Sequence, residues 1–225
     1  MLANNIANSS TAGYKSDREL YSLYVAPEAG AETDAGVATL PVIQKSWTDY
    51  SPGIQTPTGN PLDLALSGRG FFAVHGPNGP LYTRNGSFQL TSSGTLTGAE
   101  GYPVRAVGGG TIVLQASSPF EVGADGTVRQ NQQTVGQLEI VDFGQDGLGK
   151  QGANYFRLTD PSLPPAQAAG AQVQQGALEG SNVGSAESAV RLVGVMRQFE
   201  MLQKAMTLGA QMDRQAVEEV AKVSS

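Results

Sequence analysis

Short apolar runs alternate with turn chemistry from residue 37 to about residue 158. Asp63-Leu64-Ala65-Leu66 gives way to Ser67-Gly68-Arg69-Gly70, and Phe71-Phe72-Ala73-Val74 ends in the cluster Gly76-Pro77-Asn78-Gly79-Pro80. Leu81-Tyr82-Thr83-Arg84 then meets Asn85-Gly86, and Ser87-Phe88-Gln89-Leu90 follows. Asn-Gly between two such runs predicts a type I′ hairpin, whose two central residues both need positive φ. Ser93-Gly94 precedes Thr95-Leu96-Thr97, residues 111–114 and 120–122 read as strands, and Asp125-Gly126 predicts a hairpin into Thr127-Val128-Arg129. Residues 137–143 alternate apolar and polar through Leu138 and Ile140. Many short strands with frequent turns predict a mainly β body, a meander or small barrel.

The pattern changes at Ser185. From there to about residue 223 proline is absent and helix formers dominate. Ser185 is placed as the N-cap, and Glu187 in the first turn complements the helix dipole. With Leu192 at heptad position a, the a positions are Leu192, Phe199, Met206, Asp213 and Val220. The d positions are Val195, Leu202, Gly209, Ala216 and Val223, and Met196, Ala210 and Val217 widen the stripe at e. This predicts a long terminal α-helix with a coiled-coil-like seam. Such a helix packs either on its own β domain or on other helices. About 38 residues at 1.5 Å each span nearly 60 Å, more than the width of a small β domain, which favours other helices.

At the other end, Leu2 and Ile6 share a helical face with Ala3 or Ala7, so residues 1–16 read as the tail of a helix that Gly13 stops in the left-handed conformation. Residues 14–25 fit strand or helix. Residues 27–36 are small, acidic and turn-rich, an exposed loop or linker. Residues 159–170 are Pro- and Ala-rich and read as a connector, and residues 172–182 as one more extended segment. The expected division is 1–36 helix remnant and linker, 37–170 β-rich body, and 171–225 extended segment and terminal helix.

Composition narrows the chemistry. The chain has 225 residues, 29 of them glycine, with only 15% charged, which suits turn-rich β structure. Its net charge is -6 and no basic run occurs, so nucleic acid is not an expected partner. The absence of cysteine excludes disulfides and thiolate metal sites. No apolar run approaches the ~20 residues of a spanning helix, so direct membrane insertion is not expected. The start lacks the charged and long apolar regions of a cleaved secretory signal.

Candidate catalytic residues are few. His75, the one histidine, follows a strand and is expected in an exposed loop. Gly68-Arg69-Gly70 lacks the third glycine of a phosphate loop and leads into a strand, not a helix. Asp63, Glu100, Glu121, Asp125, Glu139, Asp142 and Asp146 could in principle supply a glycosidase pair, but turns and solvated strand faces explain them. No catalytic, cofactor or metal site is assigned.

Four motifs in order carry a resemblance. Ala3-Asn4-Asn5-Ile6-Ala7-Asn8 with Thr11-Ala12-Gly13-Tyr14-Lys15 resembles the N-terminal signature of bacterial flagellar rod and hook proteins. Gly68-Arg69-Gly70-Phe71-Phe72-Ala73-Val74 with Tyr82-Thr83-Arg84-Asn85-Gly86-Ser87-Phe88 is similar to their central β motif, continued by Gly94-Thr95-Leu96 and Gly101-Tyr102-Pro103-Val104. Gln175-Gly176-Ala177-Leu178-Glu179-Gly180-Ser181-Asn182-Val183 resembles their approach to the C-terminal helix.

The resemblance implies a non-enzymatic axial subunit of the basal body. Its terminal helices would form the inner, filament-building layer, with the β domain outside. It also implies export through the flagellum-specific type III channel without a cleaved signal. A further helical segment, about twenty residues, would precede the Ala3-Asn4-Asn5 motif. Chain length, Leu178–Val183 and Arg197–Met201 lean towards the proximal rod, with the distal rod close behind. On this reading Leu192, Val195, Phe199, Leu202 and Met206 are the polymerisation interface, facing other rod or hook subunits in a homo- or hetero-polymer. The rival readings are a secreted β-domain carbohydrate binder or glycoside hydrolase, with convergent carboxylates in an apolar cleft, and an adhesin or phage-fibre piece. Trp47 suits a core or strand-edge role better than a sugar platform.

Overall fold

Phe71-Phe72-Ala73-Val74 lies at the centre of the body because both faces of its strand are covered. Within Phe71–Gly76, Phe72 and Val74 enter one buried cluster, while Phe71 and Ala73 enter a second on the opposite face. A strand buried on both sides is written as a continuous apolar run, not an alternating one. In this computed structural model residues 1–25, 39–115, 117–144, 147–160, 162 and 165–223 are described, so the expected 27–36 loop and Asp146 lie outside the described residues.

The strand belongs to a six-stranded antiparallel sheet in the order Leu148–Gly152, Tyr155–Leu158, Gly79–Thr83, Phe71–Gly76, Ile140–Asp142, Ala166–Gln167. Its edge strands do not pair with each other, so the sheet stays open and the β body is not a closed barrel. The larger cluster joins Phe72 and Val74 to Leu64, Leu66, Phe88 and Leu96. Residues 111–114 are not a strand. They make isolated bridges, Arg105 with Thr111 and Thr95 with Val113, and send Ile112 and Leu114 into the core.

The two hairpin signals have different fates. Asp125-Gly126 does turn the chain from Phe120–Val122 into Thr127–Gln130, with Gly126 at φ +81°. Asn85-Gly86 does not make a hairpin: neither residue has positive φ, Gly79–Thr83 pairs with Phe71–Gly76 and Tyr155–Leu158, and Gln89–Leu90 pairs instead with Leu96–Thr97. Close approach explains Gly86. Its carbonyl accepts the Leu64 N–H at 3.0 Å, and an added Cβ would stand 1.6 Å from the Leu64 carbonyl oxygen. Gly86→Ala is therefore expected to push Leu64–Ser67 out of register and cost about 2–3 kcal/mol, as overpacked cores do. Urea unfolding checks this; a loss below ~0.5 kcal/mol would mean the segment yields freely.

The N-terminal helix α1 is Leu2–Ala7 and ends at Asn8. Gly13 is left-handed as expected, at φ +67°, but it lies beyond the helix end and does not cap it. A Cβ there would meet the backbone of Arg84 and Asn85 at 2.3 Å, so this glycine serves a chain crossing. Of residues 14–25, the part from Asp17 on is strand: Asp17–Val25 pairs antiparallel with Thr39–Thr48, with a bulge at Leu20/Tyr21. Trp47 sits on this hairpin, partly exposed, with the Arg18 guanidinium 5.9 Å from its ring centre. Gln172–Gln175 pairs with Leu64–Ser67 and Ala177–Glu179 with Gln55–Pro57, and the chain then enters α2, Ser185–Val223. Gly184, not Ser185, occupies the cap: its carbonyl accepts the Ser188 N–H at 2.9 Å. Glu187 lies in the first turn as expected.

Candidate functional site

Helix α2 leaves the body with almost nothing of its own to pack on. Its 39 residues span about 58 Å at 1.5 Å per residue. Among the described residues, none of its side chains joins either buried cluster. The ridge runs from Leu192 at 37% exposure through Val195 and Phe199 to Leu202 at 63% and Met206 at 68%. Exposure rises away from the body, so packing on the chain's own sheet is ruled out for this stripe. Of the two packing modes open to the sequence, the body-packed one fails here. Complete burial of one such side chain stabilises by about 1.5–3 kcal/mol. A continuous exposed row of them is the feature that marks a protein-interaction surface. The side chains of Asp213, Ala216, Val217, Val220 and Val223 lie outside those described. The short α1 packs against α2 and buries none of its own residues.

At the root of both helices sits a buried ionic cluster. Lys15 and Glu179 are fully buried at their side chains, and Arg84 is 2% exposed. Lys15 Nζ donates to Glu179 Oε1 at 2.5 Å and to the Ser51 carbonyl at 2.7 Å. Arg84 Nη1 donates to Glu179 Oε2 at 3.0 Å, and Nη2 donates to the Gly68 carbonyl at 2.6 Å. The Gly53 N–H donates to Glu179 Oε1 at 2.9 Å, and the Gly13 N–H donates to the Glu179 carbonyl at 2.7 Å. Burial pushes the Lys15 ammonium and the Arg84 guanidinium below their ordinary pKa values, and the Glu179 carboxylate acts against that shift in both.

A shell of further polar contacts extends the cluster towards the helices. Asn182, just before α2, accepts from the Ser16 N–H at 2.8 Å and donates to the Asp49 carbonyl at 2.7 Å. Tyr14 donates its hydroxyl proton to Asn4 Oδ1 at 2.7 Å, which ties α1 back to the chain that follows it. Asn5 exchanges hydrogen bonds with the Asp17 backbone at 2.9 and 3.1 Å. Lys150 donates to the Lys15 carbonyl at 2.7 Å and pairs with Asp17 at 2.8 Å.

Three of the family-like motifs thus meet in space: Lys15 comes from the first, Arg84 from the second, and Glu179 and Asn182 from the last. Sequence reasoning quoted these letters and gave them no role. The available signal was the few charges, Lys15, Arg69, Arg84 and Glu179, inside otherwise uncharged motifs of a charge-poor chain.

The candidate chemical residues find local partners. His75 lies inside a strand, half-buried, with a ring nitrogen 3.4 Å from the Gly110 carbonyl, so it is not the exposed loop residue expected. Glu139 pairs with Arg105 at 2.7 Å, Asp142 with Arg69 at 3.4 Å, and Asp125 accepts from the Thr127 backbone and hydroxyl. A cleft of about 610 Å³ lies between the hairpin and the sheet, lined in part by Trp47, Tyr50, Phe71 and Phe143. Of the described carboxylates weighed for glycosidase chemistry, only Asp142 lines it. No group of three potential metal ligands occurs among the described residues.

Two family models match the regions just described. Residues 65–130 match the flagellar hook protein FlgE/F/G D1 domain. Residues 174–219, which contain Glu179 and the whole ridge, match the flagellar basal body rod FlgEFG protein C-terminal model. The chain is 34% identical to the flagellar basal-body rod protein FlgF of Caulobacter vibrioides, with all of this chain aligned to 92% of that protein. It is 32% identical to FlgF of Salmonella typhimurium, over 91% of this chain and 85% of the relative. Against the flagellar basal-body rod protein FlgG of Bacillus subtilis it is 30% identical, over 92% and 87% respectively. These matches give the carbohydrate-binding and hydrolase reading no support. Through residues 65–130 and 174–219, and through relatives aligned along nearly its whole length, the chain belongs to the flagellar basal-body rod protein family.

Proposed function

We propose that this structural rod subunit polymerises through α2, with Leu192, Val195, Phe199, Leu202 and Met206 buried against helices of other rod or hook subunits in a homo- or hetero-polymer. The observation that carries the reading is the exposure of that whole row. Torque would then pass through packed interfaces, and the protein would need no catalysis, cofactor or metal.

The proposal has three working parts: the N-terminal helix and linker at 1–36, the β body at 37–170, and the polymerising segment at 171–225. It includes a place in the periplasm-spanning rod, the proximal rod ahead of the distal, and export without a cleaved signal. No helix among the described residues is long and apolar enough to cross a membrane.

Hydrogen exchange tests the central point. Helices without tertiary partners are marginal in water. In the monomer α2 is expected to stay helical but to be far less protected than the six-stranded sheet, and to gain protection in assembled rods, while the sheet changes little. Protection of α2 in the monomer equal to that of the sheet, or no gain on assembly, would overturn the reading.

A further inference from the structure

Helices α1 and α2 are joined to the body by polar contacts, with little apolar anchorage. Helix α1 buries no residue, and beyond Ala177 the one buried residue among those described is Glu179. Between α1 and the hairpin the buried residues are Gly13, Tyr14, Lys15 and Ser16, and none of them joins a core cluster. Apolar burial is non-directional and leaves an angle poorly defined, whereas a hydrogen bond has a preferred line. Glu179 uses both carboxylate oxygens and its backbone carbonyl. It thereby ties together chain positions 164, 126 and 95 residues away, at Lys15, Gly53 and Arg84. Two cations share one carboxylate, an arrangement that stability alone does not explain, since well-packed apolar replacements of buried ion clusters are often neutral or stabilising.

We propose that Glu179, held between Lys15 and Arg84, is a positioning residue that sets the direction in which α1 and α2 leave the β body and so aims the ridge for assembly. This rests on the reading of α2 as the polymerising helix. Asn182 continues the same role, since it bonds Ser16 on the N-terminal side and Asp49 on the body side. The cluster defines geometry, and the ridge supplies the contact.

The test compares the native trio with the apolar trio Lys15→Met, Arg84→Met, Glu179→Leu. The chain has no cysteine, so spin labels can be placed through Ser92→Cys on the body and Glu200→Cys on α2, both exposed positions. Pulsed electron resonance then reads the body-to-helix distance. The native cluster is expected to give one narrow distribution. The apolar trio is expected to melt within a few degrees of it, to broaden the distribution at least twofold, and to assemble at least tenfold more slowly. An unchanged distribution, or a broadened one with native assembly, overturns the proposal.

If the apolar trio does not fold, Lys15→Met alone, which keeps the Arg84–Glu179 pair, decides: broadening supports the proposal and its absence overturns it. Leu202→Asp separates the two readings. It should stop assembly with the narrow distance unchanged. If it assembles normally while the apolar trio is broadened, the α2 reading fails and the positioning role stands.

Discussion

Leu202→Asp is expected to leave the β body folded and to abolish polymerisation. Leu202 is 63% exposed and belongs to neither buried cluster, so the monomer loses only a fraction of a kcal/mol of helix propensity, about 0.5. In a filament the same position would be enclosed between helices. A carboxylate forced there without a partner costs several kcal/mol, on the order of 3–5, and every subunit along the polymer bears that cost. Near-UV circular dichroism and the melting temperature check that the body is intact. Sedimentation and electron microscopy check that rods are absent. A variant with native melting that still builds rods of normal length would remove Leu202, and with it the ridge, from the interface.

The second large effect falls on stability. Glu179→Gln keeps the shape of the side chain but leaves the buried cations Lys15 and Arg84 without a counter-charge. Breaking a buried ion cluster in this way costs about 3–5 kcal/mol. For a chain of this size that corresponds to a fall of roughly 6–20 °C in melting temperature. Lys15→Met is expected to cost much less, because Arg84 and Glu179 remain paired one to one and the Gly53 N–H still donates to the carboxylate. The order of the two losses, read by calorimetry, is the decisive quantity. Equal losses would mean that Glu179 does not carry the charge balance of the cluster.

These effects separate the two kinds of residue in the candidate site. On these expectations the ridge residues would be dispensable for folding and would act between molecules. The cluster residues would act inside the molecule, where they set the geometry between its parts and depend on one another for charge balance. Each kind left a different trace in the sequence. Leu192, Phe199 and Met206 recur at a helical period, and periodicity is a local property that survives in a string of letters. Lys15, Arg84 and Glu179 are far apart along the chain, and no spacing rule links them. Their connection exists only after the hairpin, the sheet and the Ala177–Glu179 strand have been folded together.

The glycines divide in the same way. Gly126 turns a hairpin between strands that follow one another, so Asp125-Gly126 was readable from local chemistry. Gly86 sits in an equally strong local signal, yet its strands pair elsewhere, and the need for glycine comes from the Leu64 carbonyl pressing on it. Gly13 has the backbone of a helix stop, but the contact it allows is with Arg84 and Asn85.

By itself the chain of residues determined its β-rich body, its long terminal helix, the apolar row on that helix, and its family. The first three follow from propensities and periods that act over a few neighbouring residues, and the family from four motifs standing in order along the chain. Tertiary structure alone decided that the sheet stays open, that the row finds no cover on its own body, and that three distant charges share one dry site. Those outcomes depend on which surfaces remain after the strands have chosen partners, a competition among non-local contacts that no short window of sequence contains.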